Sequence, residues 1–383
     1  MRSPSRLAWR QLSRDRTRFA IALSGVAFAV VLMLMQLGFR GALLRSSTRF
    51  HLRLEADLVL LSPQSAYLVR MDSFPRRRLD QARGAEGVLE TAPVYTTLGL
   101  WKNPLTGLTR TILVVGVDPD RRTLAMPDVV NQLEKLRRPE TALFDRRSRK
   151  EYGPVADWLA RDSRVEIELN DRRTYVAGLF QMGTSFGIDG TVVTSERTFL
   201  NLVNRSEGMI EIGLIRVKPG ANVAAVQEGL RKVLDRDVLV LTREEYARRE
   251  MDYWNTVTPI GYILGLGVLI GFGVGAIVVT QILFADVNDH LAEYATLKAM
   301  GYPNRYLYGV VLYQALLHAG LAYVPGLLVA KFLYVRAEAA TLLPMDLSTE
   351  IGVGVFVLTL SMCCASGVMA LRKLHGADPA EIF

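Results

Sequence analysis

YWNTVTPIGYILGLGVLIGFGVGAIVVTQILFA, residues 253–285, runs for 33 residues without an Asp, Glu, Lys or Arg. Three other stretches share that property: Phe19–Phe39, Tyr306–Ala330 and Ile351–Leu371, of 21, 25 and 21 residues. A bilayer core about 30 Å thick takes roughly 20 helical residues at 1.5 Å each, so every one of them is long enough to cross. An ionised side chain at mid-membrane costs at least about 2.5 kcal/mol, which accounts for the missing charges. A buried helix of a soluble core is usually shorter. Charged residues still make up 22% of the chain and hydrophobic ones 50%, so the apolar residues are concentrated rather than spread. The expected fold is integral membrane α-helical, with four transmembrane helices and a large α+β extracytoplasmic domain inserted between helices 1 and 2.

The first stretch follows a basic leader, but it exceeds the roughly 7–15 apolar residues of a signal sequence. It ends in Gln36-Leu37-Gly38-Phe39-Arg40 with no small-x-small cleavage pattern, and it reads as a retained anchor. Residues 1–18 carry Arg2, Arg6, Arg10, Arg14, Arg16 and Arg18 against Asp15 alone. Short basic flanks stay in the cytoplasm, so the N-terminus is expected inside, and four crossings return the C-terminus to the same side. The division that follows is a basic leader at 1–18, spans at 19–39, 253–285, 306–330 and 351–371, and an outer domain at 40–252. An inner loop at 286–305, a short outer loop at 331–350 and an inner tail at 372–383 complete it. With Leu7, Trp9 and Leu12 among its arginines, the leader can lie as an amphipathic helix on anionic lipid headgroups, or extend as a solvated tail.

Residues 41–252 hold 33 Lys and Arg against 29 Asp and Glu. That near balance is no nucleic-acid footprint. No cysteine lies there; Cys363 and Cys364 are adjacent in the fourth stretch and cannot form a relaxed disulfide, so the outer domain must stand on its own core. Ala56–Leu61, Thr96–Trp101 and Thr111–Val117 read as strands, with Asn103–Gly107 as a turn. Val165–Leu169 and Thr174–Phe180 flank Asn170-Asp171 as a hairpin. Ile210–Val217, the amphipathic Val223–Leu234 and Val238–Leu241 form a β-α-β pattern. Thr242–Asp252 reads as a charged helix running straight into the second span, where a rigid rod would couple domain movement to the membrane. Residues 120–160 have no clear pattern.

Several chemistries find no residues. There is no Gly-Lys pair and so no phosphate-binding GxxxxGK[ST] loop. His51, His290, His318 and His375 are scattered without metal-ligand spacing. No catalytic, cofactor-binding or metal-binding residue is assigned, and if the protein does work on something, the energy must come from another subunit. In the second stretch Gly267, Gly271 and Gly275 fall four apart, a small-xxx-small stripe suited either to packing within one chain or to a homodimer seam. Gln314 and His318, one turn apart, can hydrogen-bond a neighbouring helix.

The inner loop runs Asp286-Val287-Asn288-Asp289-His290-Leu291-Ala292-Glu293-Tyr294-Ala295-Thr296-Leu297-Lys298-Ala299-Met300-Gly301-Tyr302-Pro303. It reads as a short helix closed by Gly301, with Pro303 barring continuation. Leu291, Ala295, Leu297 and Met300 give it an apolar side, which suits either a plain connector or docking in a groove of a soluble partner.

Glu293 to Gly301 resembles the E-[aromatic/aliphatic]-[GA]-x-[LM]-[KR]-A-x-G signature of MacB/FtsX-type permeases, and so does the layout of one helix, a large outer domain and three helices. The opening Leu7-Ala8-Trp9-Arg10-Gln11-Leu12 through Phe28-Ala29-Val30 to Met35-Gln36-Leu37-Gly38-Phe39, and the closing Ala377-Asp378-Pro379-Ala380-Glu381-Ile382-Phe383, resemble the DevC-type permeases of cyanobacterial DevBCA exporters. The resemblance implies a multi-pass protein of the inner membrane, with a periplasmic domain, acting as a homodimer. It also implies a cytoplasmic ABC ATPase, holding ATP and Mg, docked on Asp289, Glu293, Tyr294, Ala295, Leu297, Lys298, Ala299, Met300 and Gly301. The outer domain would then work on a periplasmic adaptor (membrane-fusion) protein leading to a TolC-like outer-membrane channel, with glycolipid as cargo in the DevC branch. Alternatives are an FtsX-like regulator of a cell-wall hydrolase, a Lol-like lipoprotein extractor and, more distantly, a receptor without an ATPase.

Overall fold

The computed structural model describes Ser5, Ala8, Trp9 and residues 16–205 and 207–375. Most of the basic leader and the closing Ala377–Phe383 motif lie outside the described residues. The chain forms two units, one of residues 1–42, 259–341 and 345–383, the other of residues 43–258 and 342–344.

Among the described residues four helices are long and apolar enough to cross a membrane, Arg16–Ser47, Pro259–Asp289, Asn304–Thr341 and Thr349–His375. Their ends depart from the uncharged stretches for identifiable reasons. The first continues through Arg40 and Arg45, because helical hydrogen bonding does not stop where the apolar residues do. The second begins six residues late. Tyr253–Val257 is a π-helical turn and Thr258 is extended, at φ −89° and ψ 151°. Pro259 imposes that break, since its ring disfavours the helical region for the residue before it while suiting a first helical position. The rigid rod expected through Thr242–Asp252 into the span is therefore absent. The third span extends past Ala330 to Thr341, taking in residues expected in the outer loop; Ala337, Ala339 and Ala340 are strong helix formers and prolong it.

The spans meet through small residues, as close packing in lipid requires. A Cβ on Gly326 would come within 3.0 Å of the Ala27 carbonyl, and one on Gly38 would strike the Tyr334 ring. The Tyr334 hydroxyl donates to the Leu34 carbonyl. His318 does not reach a neighbouring helix for its hydrogen bond. Its Nδ1 bonds the Gln314 carbonyl one turn back, at 2.8 Å, and its ring meets Phe19 edge-on at 5.7 Å. Cys363 and Cys364 are free thiols.

Among the described residues the second unit has eleven strands: β1 (Leu58–Leu61), β2 (Phe74–Pro75), β3 (Val88–Lys102), β4 (Thr109–Val117), β5 (Thr141–Asp145), β6 (Val165–Leu169), β7 (Arg172–Phe180), β8 (Thr191–Ser195), β9 (Met209–Ile210), β10 (Ile212–Val217) and β11 (Leu239–Thr242). Nine of them form one sheet in the order β11-β1-β10-β3-β4-β8-β5-β7-β6. Strand β6 returns to pair with the far end of β3, Trp101 opposite Leu169, so that β3, β4, β8, β5, β7 and β6 close on one another. Trp101, fully buried, fills that closed part and donates its indole N–H to the Tyr152 carbonyl at 3.1 Å. The hairpin β6–β7 turns at Asn170 and Asp171, both at positive φ.

Four helices of this unit are α1 (Arg77–Arg83), α2 (Glu196–Val203), α3 (Val223–Val233) and α4 (Arg243–Asp252). β10, α3 and β11 make the expected β-α-β, with β1 lying between the two parallel strands and antiparallel to both. Residues 120–160 hold β5, deep in the sheet, and the short helices Pro127–Val130, Leu133–Leu136 and Val155–Leu159. One core lies between sheet and helices around Phe74, Leu79, Phe199 and Leu230; a second covers the opposite face around Leu54, Leu61, Phe180 and Tyr246.

Candidate functional site

Two places are the candidates, the short helix between the second and third spans and a buried joint within the second unit.

The inner helix is Leu291–Ala299. It ends in a reciprocal cap: the Gly301 N–H reaches the Lys298 carbonyl at 3.0 Å and the Tyr302 N–H reaches that of Leu297 at 3.1 Å. Gly301 sits at φ +86°, the left-handed conformation this cap needs and glycine adopts freely. Its apolar side is divided. Tyr294 and Ala295 are buried among Leu283, Val287 and Leu307, and Leu291 and Leu297 are half-buried. Met300 points outward at 63% exposure, and Glu293, Ala299 and Gly301 are exposed beside it. Asp289, also exposed, precedes the bend at His290, and Lys298 is half-buried. The signature thus splits into residues that anchor the helix to the spans and residues that face outward.

Gly267, Gly271 and Gly275 face the first span of the same chain. A Cβ on Gly271 would lie 3.2 Å from Met33 Cγ, one on Gly275 would lie 2.7 Å from the Ala29 Cβ, and one on Gly267 would strike Gln36. Packing within one chain accounts for these contacts. Gly265 and Gly273, elsewhere on the same helix, have open space.

The buried joint was not legible in sequence. Helix α4 begins with a capping box, in which the Thr242 hydroxyl accepts from the Glu245 N–H at 3.1 Å and the Glu245 carboxylate accepts from the Thr242 N–H at 2.8 Å. The Thr242 N–H bond holds the Glu245 carboxyl below its ordinary range. At the other end of α4, Glu250 is buried. Its Oε2 accepts from the Leu68 N–H at 2.9 Å and lies 3.4 Å from His51 Nε2; its Oε1 accepts the Trp254 indole N–H at 2.8 Å. His51, fully buried, stands on a 3-10 turn shortly after the first span, its ring 4.2 Å edge-on from that of Tyr246. Tyr67 stacks on Tyr253 at 4.4 Å, inside the π-helical turn. A carboxylate is tolerated here because each oxygen has a donor.

Close by in sequence, Arg49 Nη1 donates to the Met182 carbonyl at 2.9 Å. Asp145, buried, accepts from the N–H groups of Arg147, Met182 and Gly183 at 3.0, 3.1 and 2.6 Å. Desolvation nonetheless raises its pKa. The segment Leu342–Pro344, between the third and fourth spans, is fastened to the same place: Thr184 Oγ1 donates to the Leu342 carbonyl at 3.1 Å and Arg45 Nη2 to that of Pro344 at 3.1 Å. Gly183-Thr184-Ser185-Phe186-Gly187 has the Gly-x-Ser-x-Gly spacing of a hydrolase nucleophile turn. It lies instead in the loop between β7 and β8, closed by a Ser185–Ile188 bridge, where no strand feeds a helix. Among the described residues no group of His, Cys, Asp and Glu is placed to hold a metal.

Residues 19–233 match the family model of the MacB-like periplasmic core domain, more than half of the chain, and residues 257–379 match that of the FtsX-like permease C-terminal. The chain belongs to the MacB/FtsX-like ABC permeases. Solved structures similar to this permease include the periplasmic region of MacB from Actinobacillus actinomycetemcomitans, 11% identical over 50% of this chain and 91% of that one, with a TM-score of 0.35. Another is the extracellular domain of the ABC-type transporter YknZ from Gram-positive bacteria, 9% identical over 49% of this chain and 99% of that one, with a TM-score of 0.34. A third is a domain of a permease protein from Porphyromonas gingivalis, 12% identical over 49% of this chain and 89% of that one, with a TM-score of 0.30. No curated protein matches the permease. Family membership carries two consequences: it is a multi-pass membrane protein of the inner membrane, and its partner is an ABC ATPase.

Proposed function

We propose that this permease is the membrane subunit of an exporter that turns ATP hydrolysis by a separate cytoplasmic ATPase into movement of its outer domain. Both termini and the helix Leu291–Ala299 lie in the cytoplasm, and the outer domain lies in the periplasm. Glu293, Ala299, Met300 and Gly301 form the surface the ATPase grips, while Tyr294 and Ala295 carry its displacement into the spans. Two copies act together, and the outer domains drive a periplasmic adaptor that leads to a TolC-like channel. The cargo, a glycolipid in the reading closest to the DevC pattern, need not thread the spans, and ATP and Mg are bound by the ATPase alone.

One observation supports this above others. Within the outer unit, the end of the first helix, the chain leading to the second span and the 342–344 segment are each fastened by polar contacts to residues 45–51 or to the loop those residues hold. Displacement arriving along any of the three is passed to the same buried place, while the π-helical turn and Pro259 leave a bend where the second span starts. The test is copurification with the ATPase, followed by ATP-driven export in cells. Glu293→Ala and Met300→Ala should bind the ATPase more weakly and export less. If both variants bind and transport as the parent does, the ATPase grips elsewhere and this coupling role is wrong.

A further inference from the structure

The helix Asn304–Thr341 is followed by Leu342 at φ +61°. A left-handed residue is a common way to end a helix, and glycine or asparagine usually supplies it. Elsewhere the chain keeps to that rule: Asn204 closes α2 at φ +49°, and Gly301 follows the helix Leu291–Ala299 at φ +86°. The described non-glycine residues at positive φ are Glu140, Asn170, Asp171, Asn204 and Leu342, and only Leu342 is apolar. In this conformation its Cβ crowds the following carbonyl oxygen, and its side chain has no polar group to offset that with a local hydrogen bond. Leu342 is 39% exposed, so burial offsets little of the strain.

What holds Leu342 there is polar and comes from distant parts of the sequence. The buried Thr184 hydroxyl donates to the Leu342 carbonyl at 3.1 Å, and Arg45 Nη2 donates to the Pro344 carbonyl at 3.1 Å. Leu342–Pro344 belongs to the same unit as both donors. Thr184 is in turn steadied by Arg49, whose Nη1 donates to the carbonyls of Met182 and Thr184 at 2.9 and 3.4 Å. Without the two bonds to the segment, its preferred conformation follows from its residues. Leucine is a strong helix former, so Leu342 would continue the helix. Pro344 would stop it one residue later by holding Leu343 extended.

We propose that Leu342–Pro344 is a two-state latch. Thr184 and Arg45 pull Leu342 out of the helix into the left-handed conformation, and on release Leu342 rejoins the helix Asn304–Thr341. The strain at Leu342 narrows the gap between the two states, which is the use such strain has in a switch. The latch requires neither the ATPase nor any cargo, so its failure and that of the export reading are separate results.

The experiment uses the full chain in detergent carrying Thr184→Cys, with a maleimide as probe. Labelling at residue 184 is followed by peptide mapping, apart from the native Cys363 and Cys364. Thr184 is 1% exposed, so labelling requires local opening. A thiol donates only weakly, which keeps the released state measurable. Adding Leu342→Gly or Leu342→Asn should slow labelling by roughly fivefold, because the left-handed penalty is removed. Leu342→Val, whose branched side chain suits that conformation worse, should speed it by at least about twofold. Arg45→Gln should also speed it. A leucine that merely packs against its neighbours predicts the opposite for glycine and asparagine. Faster labelling in those two variants would therefore overturn the latch, as would equal rates in all of them. Should Thr184→Cys not fold, Ser185→Cys carries the probe with the Thr184 hydroxyl in place, and the same order of rates is expected.

Discussion

The His51 imidazole stands 3.4 Å from the Glu250 carboxylate, and neither side chain is more than 3% exposed. One residue follows the first span and the other precedes the second, 199 positions apart in sequence. Glu250 also holds Leu68 and Trp254, so removing it leaves two buried donors without an acceptor. Glu250→Ala should therefore cost the outer domain about 3–5 kcal/mol, read as a large fall in its melting temperature. Glu250→Gln keeps the shape and one acceptor and should cost less. His51→Ala combined with Glu250→Ala should cost less than the sum of the two. A strictly additive pair would mean that the two side chains do not interact.

The helix Leu291–Ala299 separates buried residues from exposed ones. Tyr294→Ala removes a buried ring and should cost about 3–5 kcal/mol, the range for large aromatic truncations. Met300→Ala removes an exposed side chain and should leave the melting temperature within about 1 °C of the parent, because surface changes are usually within 0.5 kcal/mol. Thermal unfolding in detergent distinguishes them. A large loss of stability in Met300→Ala would show that this residue packs against the chain and is not held out for a partner.

The glycines of the second span give a paired test. Gly275→Leu puts side-chain atoms where Ala29 and Met362 already are, and overpacking of this kind costs typically about 1–3 kcal/mol. Gly273→Leu, two residues away, points into open space and should be tolerated. Yield and melting temperature in detergent report the difference. Equal damage from both would mean that another surface covers Gly273.

The spans, the outer domain between the first two, the β6–β7 hairpin and the β10-α3-β11 unit were all legible in the sequence, because each rests on periodicity or local turn chemistry. The reach of the helices was not. Absence of charge marks where lipid begins, but Arg40 and Arg45 remain helical past that limit, and Pro259 breaks the chain well inside an uncharged run. Residues 120–160 had no readable pattern because β5, buried on both faces, has no alternation to display. The joint was hidden for a different reason. His51, Glu250 and Asp145 look like ordinary surface residues, and only their partners from distant strands and loops mark them as buried.

Helix α4 carries a pH dependence whose sign can be worked out. The Thr242 N–H bond is the main cause that lowers the Glu245 pKa below its ordinary value of 4.5, with Gln227 and Arg231 adding to it against desolvation. A carboxyl whose pKa is lower folded than unfolded contributes stability that is fully present above the unfolded value. That contribution is lost as pH falls through the folded value. Thr242→Ala removes the reciprocal hydroxyl and should cost about 1 kcal/mol at neutral pH, the usual value of an N-cap. Glu245→Gln should cost less, and its deficit should shrink as the pH is lowered from about 6 towards 3, because the parent is then protonated as well. Melting temperatures of parent and variant, followed across that range, should converge at the acid end. Curves that stay parallel would show that the Glu245 charge contributes nothing to holding α4, and that the cap works through Thr242 alone.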